Sequence, residues 1–454
     1  MYNVCVIGAS TAWTPRLVTD LMVVFKDPLE IRLIDINPRN ARICQDWCKA
    51  ASRHFGRKDR IRVCPDRREA LKGADAILIT ISTGGFSAMA YDVGIPEKYG
   101  IYATVGDTTG PGGWSRSLRN IPVFLRFAED FQKYCPTAFI ANYTNPMASL
   151  TAVLQKSCGN PSVGLCHSYF ETKDVICKMF GLKDWSQLSI SIAGMNHFTW
   201  VVDFKIGRES GYPLLRKKIG RGSLADLQPA DSADDIGFVT GHKLFVELFD
   251  TYGYLPYPAD RHTSEFFSFA IAGCQGAHPK RTPQHLNQWD VEADSEVIDY
   301  CSLMRTPMEF RRNKVVVQER FIREMIRGKK PFHKKSRETG AEMILAYLTN
   351  KPMTDAVNTL NVGQIPGLPS GACVETLGMV DGLGVRAITV PHIPDFLLEV
   401  MRTNAVCQDW IVRGALEGDK NLLFQALYHD PLCAHLKPPE IRKMGQALMK
   451  ANKG

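Results

Sequence analysis

The chain has 454 residues, too many for one ordinary core, so two fused substructures are expected. Its hydrophobic share of 45%, charged share of 22% and formal net charge of +8 suit a globular protein that draws anionic small substrates, and the lack of a Lys/Arg run interleaved with aromatics argues against nucleic-acid binding. Thirteen scattered cysteines without a Cys-x-x-Cys pair, no leader-like start and no apolar run of about 18 residues argue against disulfide staples and a membrane span, and predict a reducing, cytoplasmic setting.

Residues 4–7 are continuously apolar and end at Gly8, as in a strand buried on both faces of a parallel sheet. Behind Pro15, the positions of Leu17, Val18, Leu21, Met22 and Phe25 predict a helix over 15–25. A second strand over 31–35 ends in Asp35, and a helix follows over 39–52. The pattern repeats with strands at 74–82, 138–142 and 163–166 and helices at 114–134 and 147–156. Such alternation predicts an α/β fold, a Rossmann-type doubly wound parallel sheet. A strand over 188–192 leads into Gly194-Met195-Asn196-His197. Residues 208–234 are polar and weakly periodic, as in a surface excursion. The remainder reads as mostly helical, with helices at 341–348, 393–403 and 409–427. The composition changes near residue 195, which divides the chain into a dinucleotide-binding unit, 1–195, and a C-terminal α+β substrate and metal unit, 196–454.

The order strand, Gly8, helix, strand, acid is dinucleotide-binding geometry. A helix N-terminus offers free N–H groups to a pyrophosphate, and Asp35, 27 residues after Gly8, stands where a carboxylate accepts the ribose hydroxyls. A carboxylate there repels a 2′-phosphate and favours NAD over NADP. The glycine fingerprint is poor, because Ser10 replaces the glycine that lets the backbone approach phosphate. A plain strand–turn–helix with a surface Asp explains the same residues.

Four later stretches change that balance: the glycine-rich loop from Val105 through Asp107 to Gly113, Asn142-Tyr143-Thr144-Asn145-Pro146, Gly164-Leu165-Cys166-His167-Ser168, and Gly194-Met195-Asn196-His197-Phe198. With Asn361-Val362-Gly363-Gln364-Ile365, Leu368-Pro369 and Val374-Glu375, they resemble glycoside hydrolase family four along nearly the whole chain. The resemblance implies a lactate/malate-dehydrogenase-like fold, NAD, a divalent ion (usually manganese), a sugar as the small-molecule partner, and a homodimer or homotetramer. It also implies a route that departs from two-carboxylate hydrolysis. The sugar is oxidised at C3 by NAD, a base removes the C2 proton, the aglycone is eliminated, water adds and the hydride returns.

By this resemblance Cys166 and His197 hold the metal, Asn145 and Asn196 touch the sugar, and Gly8, Ser10, Asp35, Ser82 and Asn142 line the cofactor. The strands that lead into Cys166 and His197, read as parallel neighbours, could present both to one spot at their carboxyl ends. A thiolate suits softer ions than manganese, so the metal's identity comes from the family alone. Taken singly, Cys166 reads as a core thiol, His197 as a core histidine and Asp107 as a turn residue. His167 is the candidate leaving-group acid, with Asp107 in reserve. Residues 252–266 resemble the α-galacturonidase members in their Asp-Arg-His-x-x-Glu-Phe run. Arg261 could grip a C6 carboxylate through two hydrogen bonds, or pair structurally with Glu265. Asp260 or His262 could be the C2 base, and Tyr252, Tyr254 and Tyr257 lie close in sequence. Ser168 after Cys166-His167 points instead to the α-galactosidases. Two other classes fit the scaffold: an NAD-dependent 2-hydroxy-acid dehydrogenase, which would consume NAD stoichiometrically, and a non-catalytic sugar or nucleotide sensor.

Overall fold

The computed structural model describes residues 1–227, 242–272, 308–332 and 334–453. Its strands are β1 (Asn3–Ile7), β2 (Glu30–Ile34), β3 (Arg60–Val63), β4 (Ala76–Ile79), β5 (Phe139–Asn142), β6 (Ser162–Gly164), β7 (Leu188–Met195), β8 (Phe198–Ile206), β9 (Glu209–Ser210), β10 (Met353–Leu360), β11 (Cys373–Asp381) and β12 (Gly384–Ala387). They form one sheet in the order β3-β2-β1-β4-β5-β6-β10-β11-β7-β8-β9, with β12 on β11. The run from β3 to β6 is parallel, and from β10 onward every pairing is antiparallel.

The central parallel strands β1, β4 and β5 are almost continuously apolar because helices cover both faces, whereas the outer β2 and β3 carry Glu30, Arg32, Arg60 and Arg62. Val4, Val6, Leu78 and Ala141 face a core with Leu17, Leu21 and Trp47. Their alternate neighbours Cys5, Ile7, Ile77 and Ile140 face Phe124, Phe131 and Leu150. Each such side chain contributes about 1.5–3 kcal/mol by leaving water. Among the described residues no helix is long and apolar enough to cross a membrane.

Three expectations need correction. Within the α+β C-terminal part, β10, β11 and β12 are strands at positions where none was predicted. Polar Asn358, Glu375 and Thr376 are buried in β10 and β11 and hide the strand signal. The C-terminal helices run Asp395–Glu417 and Lys420–His429, breaking later than predicted. The break falls at Gly418, φ +70°, and Asp419 caps the second helix by accepting from Asn421 N and Leu422 N. Most consequentially, β6 and β7 are not neighbouring parallel strands, because β10 and β11 stand between them and β7 runs antiparallel to β11. Within the polar stretch from residue 208, residues 208–227 hold a helix, Gly211–Ile219; 228–234 lie outside the described residues.

Asp430 shows how the C-terminus grips the glycine-rich loop. It is buried, accepts from Leu432 N at 2.9 Å, and receives the backbone N–H of Gly110. Burial pushes its carboxyl up from 3.8 to about 7. The folded state therefore keeps a proton that the unfolded chain releases, so stability falls as pH rises from about 3.8 to about 7 and is level above. Asp430→Asn keeps the accepting oxygen and removes the charge. It is expected to be more stable than wild type at pH 8, by an amount on the order of 1–4 kcal/mol, with the difference vanishing near pH 4. Urea unfolding at the two pH values checks this, and an equal difference at both would refute it.

Candidate functional site

The carboxyl ends of the parallel strands gather the nucleotide residues on one edge. Gly8 follows β1 with φ +88°, and its N–H donates to Ile34 O at 2.9 Å. A Cβ there would stand 2.1 Å from Thr80 O, so only glycine lets the chain pass between β1 and β4. Asp35 follows β2; its Oδ1 accepts from Asn37 N at 2.7 Å, and burial raises its carboxyl above the usual range. Ser10 lies in the turn after Gly8, its N–H bonded to Gly8 O at 2.7 Å. Ser82 is exposed beyond β4, its hydroxyl 3.4 Å from Arg116 Nη2. Asn142 ends β5 fully buried, its amide bonded to Thr144 and Thr151, so its side chain shapes the turn from inside.

Asp107, His197 and His262 come together with ligating atoms all within 4.8 Å of one another. His197 occupies the turn from β7 to β8 at φ +65°, and its ring stacks on His262 with centroids 3.9 Å apart. The Thr108 hydroxyl donates to Asp107 Oδ1 at 2.8 Å and lies 2.9 Å from His197 Nδ1. One hydroxyl proton cannot serve both, so Thr108 accepts from Nδ1–H and leaves His197 Nε2 with a lone pair. Desolvation pushes the imidazole down to about 4 against the pull of Asp107, which keeps it neutral, the form a cation needs. Asn145 joins the group, with Nδ2 at 3.4 Å from Asp107 Oδ2.

Cys166 stands outside that tight trio, half-buried two residues past β6. Desolvation, then the Glu375 carboxylate, raise its thiol well above the ordinary range. His167 Nε2 lies 3.4 Å from Glu171 Oε1, and its Nδ1 lies 4.0 Å from Glu338 Oε1. Glu171 also receives the Tyr257 hydroxyl at 2.6 Å, and the Tyr257 ring stacks over His197 at 6.2 Å. Of the three tyrosines near in sequence this is the one at the site; Tyr252 and Tyr254 pack on Phe396. Asn196 is fully buried beside Glu375.

The run at 260–266 divides in role. Both oxygens of Asp260 cap the helix Lys243–Tyr252, accepting from Leu244 N and Phe245 N at 2.9 Å. That removes Asp260 from proton transfer and leaves His262. Glu265 turns to the glycine-rich loop, accepting from Val105 N at 2.8 Å and Gly106 N at 2.7 Å, and the Thr104 hydroxyl donates to Arg261 O. Burial raises Glu265 to about 7. The clasp sets the loop of Asp107 against the segment of His262. Arg261 adds positive potential at His197. Sequence reasoning did not single out Glu171, Glu338 or Thr108. A carboxylate in the apolar run of β11 was the available signal for Glu375.

The fold is a doubly wound sheet of dehydrogenase type, and Asp107, His197 and His262 meet close to Asn145, just past the carboxyl end of β5. Residues 3–182 match the family 4 glycosyl hydrolase model, and residues 192–433 match the model of that family's C-terminal domain. The chain belongs to glycosyl hydrolase family 4 and is a glycoside hydrolase. It is 29% identical to an alpha-galacturonidase of Thermoanaerobacter italicus, over 96% of this chain and 93% of the relative. It is 28% identical to an alpha-galactosidase of Bacillus subtilis, over 100% and 98%. Among solved structures, a 6-phospho-alpha-glucosidase from gut microorganisms in complex with NAD and Mn2+ superposes with a TM-score of 0.75 at 20% identity, covering 100% of this chain and 98% of that one. Malate dehydrogenase of Plasmodium falciparum shares the fold at a TM-score of 0.51 and 11% identity, over 92% and 99%.

Proposed function

We propose that this chain is an α-glycosidase that hydrolyses α-galacturonides with NAD and Mn2+ as cofactors. The meeting of Asp107, His197 and His262 at the edge that also carries Gly8 and Asp35 supports this reading most directly. Both groups fit the residues present. The passage at Gly8, which a Cβ would fill, and the acid at Asp35 suit NAD. Cys166 and His197 would hold the cation, and Asp107 adds the oxygen donor that manganese favours. When bound, NAD supplies a hydride acceptor for C3 and Mn2+ a Lewis acid for the C2 and C3 oxygens.

The chain's own residues do the rest. Asn145 Oδ1 is buried with no hydrogen-bond partner among the described residues and is left for a sugar hydroxyl. His167, its ring set between Glu171 and Glu338, carries the proton delivered to the leaving-group oxygen. His262 takes the C2 proton. Arg261, whose charge is felt at His197, offers a planar fork to the C6 carboxylate.

Nitrophenyl α-galacturonide, α-galactoside, α-glucoside and α-glucuronide, offered with NAD, Mn2+ and a thiol reductant, test this. Turnover should be fastest on the galacturonide, NAD should not be consumed, and deuterium should enter C2 in heavy water. Arg261→Lys keeps the charge and loses the fork. It should cost the galacturonide roughly 10- to 100-fold in kcat/KM and leave the galactoside unchanged. A faster galactoside sinks the uronide assignment and favours the second reading, an α-galactosidase, for which Ser168 and the galactosidase relative speak. Missing C2 exchange, or stoichiometric loss of NAD, sinks the elimination route.

A further inference from the structure

Cys166 and His197 lie on strands that do not touch, so something must fix their separation. Four residues form a row across the sheet at this level. Gly164 of β6 pairs with Asn358 of β10, Asn358 with Glu375 of β11, and Glu375 with Gly194 of β7. The row carries a buried polar bridge. Ser168 Oγ donates to Glu375 Oε1 at 2.7 Å, and Asn358 Nδ2 donates to Glu375 Oε2 at 3.1 Å and to Gly164 O at 3.3 Å. On the other side Glu375 is tied to the end of β7 by its backbone pairing with Gly194, and Asn196 is buried close by. Ser168, Asn196 and Glu375 are fully buried and Asn358 is 1% exposed. Close approach is built in: a Cβ on Gly164 would stand 3.0 Å from Asn358 Cβ, and one on Gly194 would stand 2.1 Å from Phe198 O.

Glu375 therefore joins Ser168, two residues past Cys166, through its side chain, and Gly194, three residues before His197, through its backbone. We infer that Glu375 is a positioning residue that holds the Cys166 turn and the His197 turn at the spacing a divalent cation requires. A carboxylate out of water costs several kcal/mol unless donors surround it, and an apolar residue would fill this strand position more cheaply. A group held at such cost, bonded to one ligand-bearing turn and paired with the strand that leads into the other, fits the outer shell that orients metal ligands. Its contacts run to Ser168, Asn358 and Gly194 and not to β1 or β2, which set Gly8 and Asp35, so its removal should weaken the cation and not the dinucleotide.

This inference rests on the proposed roles of Cys166 and His197, and the experiment separates the two. Chelator-treated protein is titrated with Mn2+ alone, free Mn2+ being read by electron paramagnetic resonance, and NAD is titrated in parallel by tryptophan fluorescence. Glu375→Gln keeps the volume but sets an NH2 against a donor. It should raise the Kd for Mn2+ about 10-fold or more while the Kd for NAD stays within about twofold. Ser168→Ala, which removes one bond and no charge, should raise the Kd for Mn2+ by a smaller factor, and it carries the test if Glu375→Gln does not fold. Mn2+ affinity within twofold of wild type in these variants, with Cys166→Ala strongly impaired, overturns the inference alone. So does a parallel loss of NAD and Mn2+ affinity, the mark of a merely structural role. Unchanged Mn2+ binding in Cys166→Ala overturns the parent reading and this inference with it.

Discussion

Replacing His197 by Asn is expected to lower kcat/KM on the preferred glycoside by about 1,000-fold, through loss of the cation and not of the fold. A bound Lewis acid stabilises developing charge by several kcal/mol, and 1.36 kcal/mol is tenfold in rate, so losing about 4 kcal/mol accounts for that factor. Asn is chosen because His197 sits at φ +65°, a left-handed conformation that Asn tolerates better than most residues. The shorter amide leaves Thr108 without its ring partner and leaves the stacked His262 without its neighbour. Those are local losses, so thermal unfolding should shift by only a few degrees. NAD affinity should hold, since Gly8 and Asp35 are set by β1 and β2. Steady-state rates, Mn2+ titration and NAD titration on one preparation decide it. A variant within tenfold of wild type would remove His197 from the cation site.

The two halves of the chain differed in how openly they showed themselves. β1, β4 and β5 were legible because helices cover both sheet faces, which favours a nearly continuous apolar run. β10 and β11 were not, because Asn358, Glu375 and Thr376 lie inside them and break the pattern. Those polar residues follow from the position of the two strands between β6 and β7, a long-range insertion that no local window contains. The site shows the same division. Asp107, His197 and His262 were recognisable one by one as chemistry-bearing side chains, yet their closeness depends on three distant segments meeting. Asp260 and Glu265 show the converse. Each stands in a telling motif, but one caps a helix and the other clasps the glycine-rich loop. A motif fixes which residues are present, and only tertiary contacts decide which of them face substrate.

Gly8→Ala is expected to abolish NAD binding and to destabilise the protein more than any other single methyl group added at a glycine of the dinucleotide edge. Two penalties combine. The residue sits at φ +88°, where a side chain is strained by roughly 1–3 kcal/mol. The new Cβ would also lie 2.1 Å from Thr80 O, 2.7 Å from Thr80 C and 2.8 Å from Ile81 Cγ2. Two of these are backbone atoms at the end of β4, tied to β1 through Thr80 N donating to Ile7 O at 2.9 Å. Relief requires β1 and β4 to separate, which breaks ladder bonds and opens a packed core, so the total is on the order of 3–5 kcal/mol. Any shift of this turn also moves the N–H groups at the start of the helix Thr14–Val24 away from where a pyrophosphate would sit, and at least about 100-fold of NAD affinity should go with it. Gly56→Ala provides the control. Gly56 has a similar φ of +66°, but nothing lies within 4 Å of its added Cβ, so strain acts there without a clash. That variant should lose only a kcal/mol or so and bind NAD normally. If the two variants unfold at the same urea concentration and bind NAD alike, the narrow passage between β1 and β4 is not what the glycine is for, and the dinucleotide crevice must be sought at another part of the edge.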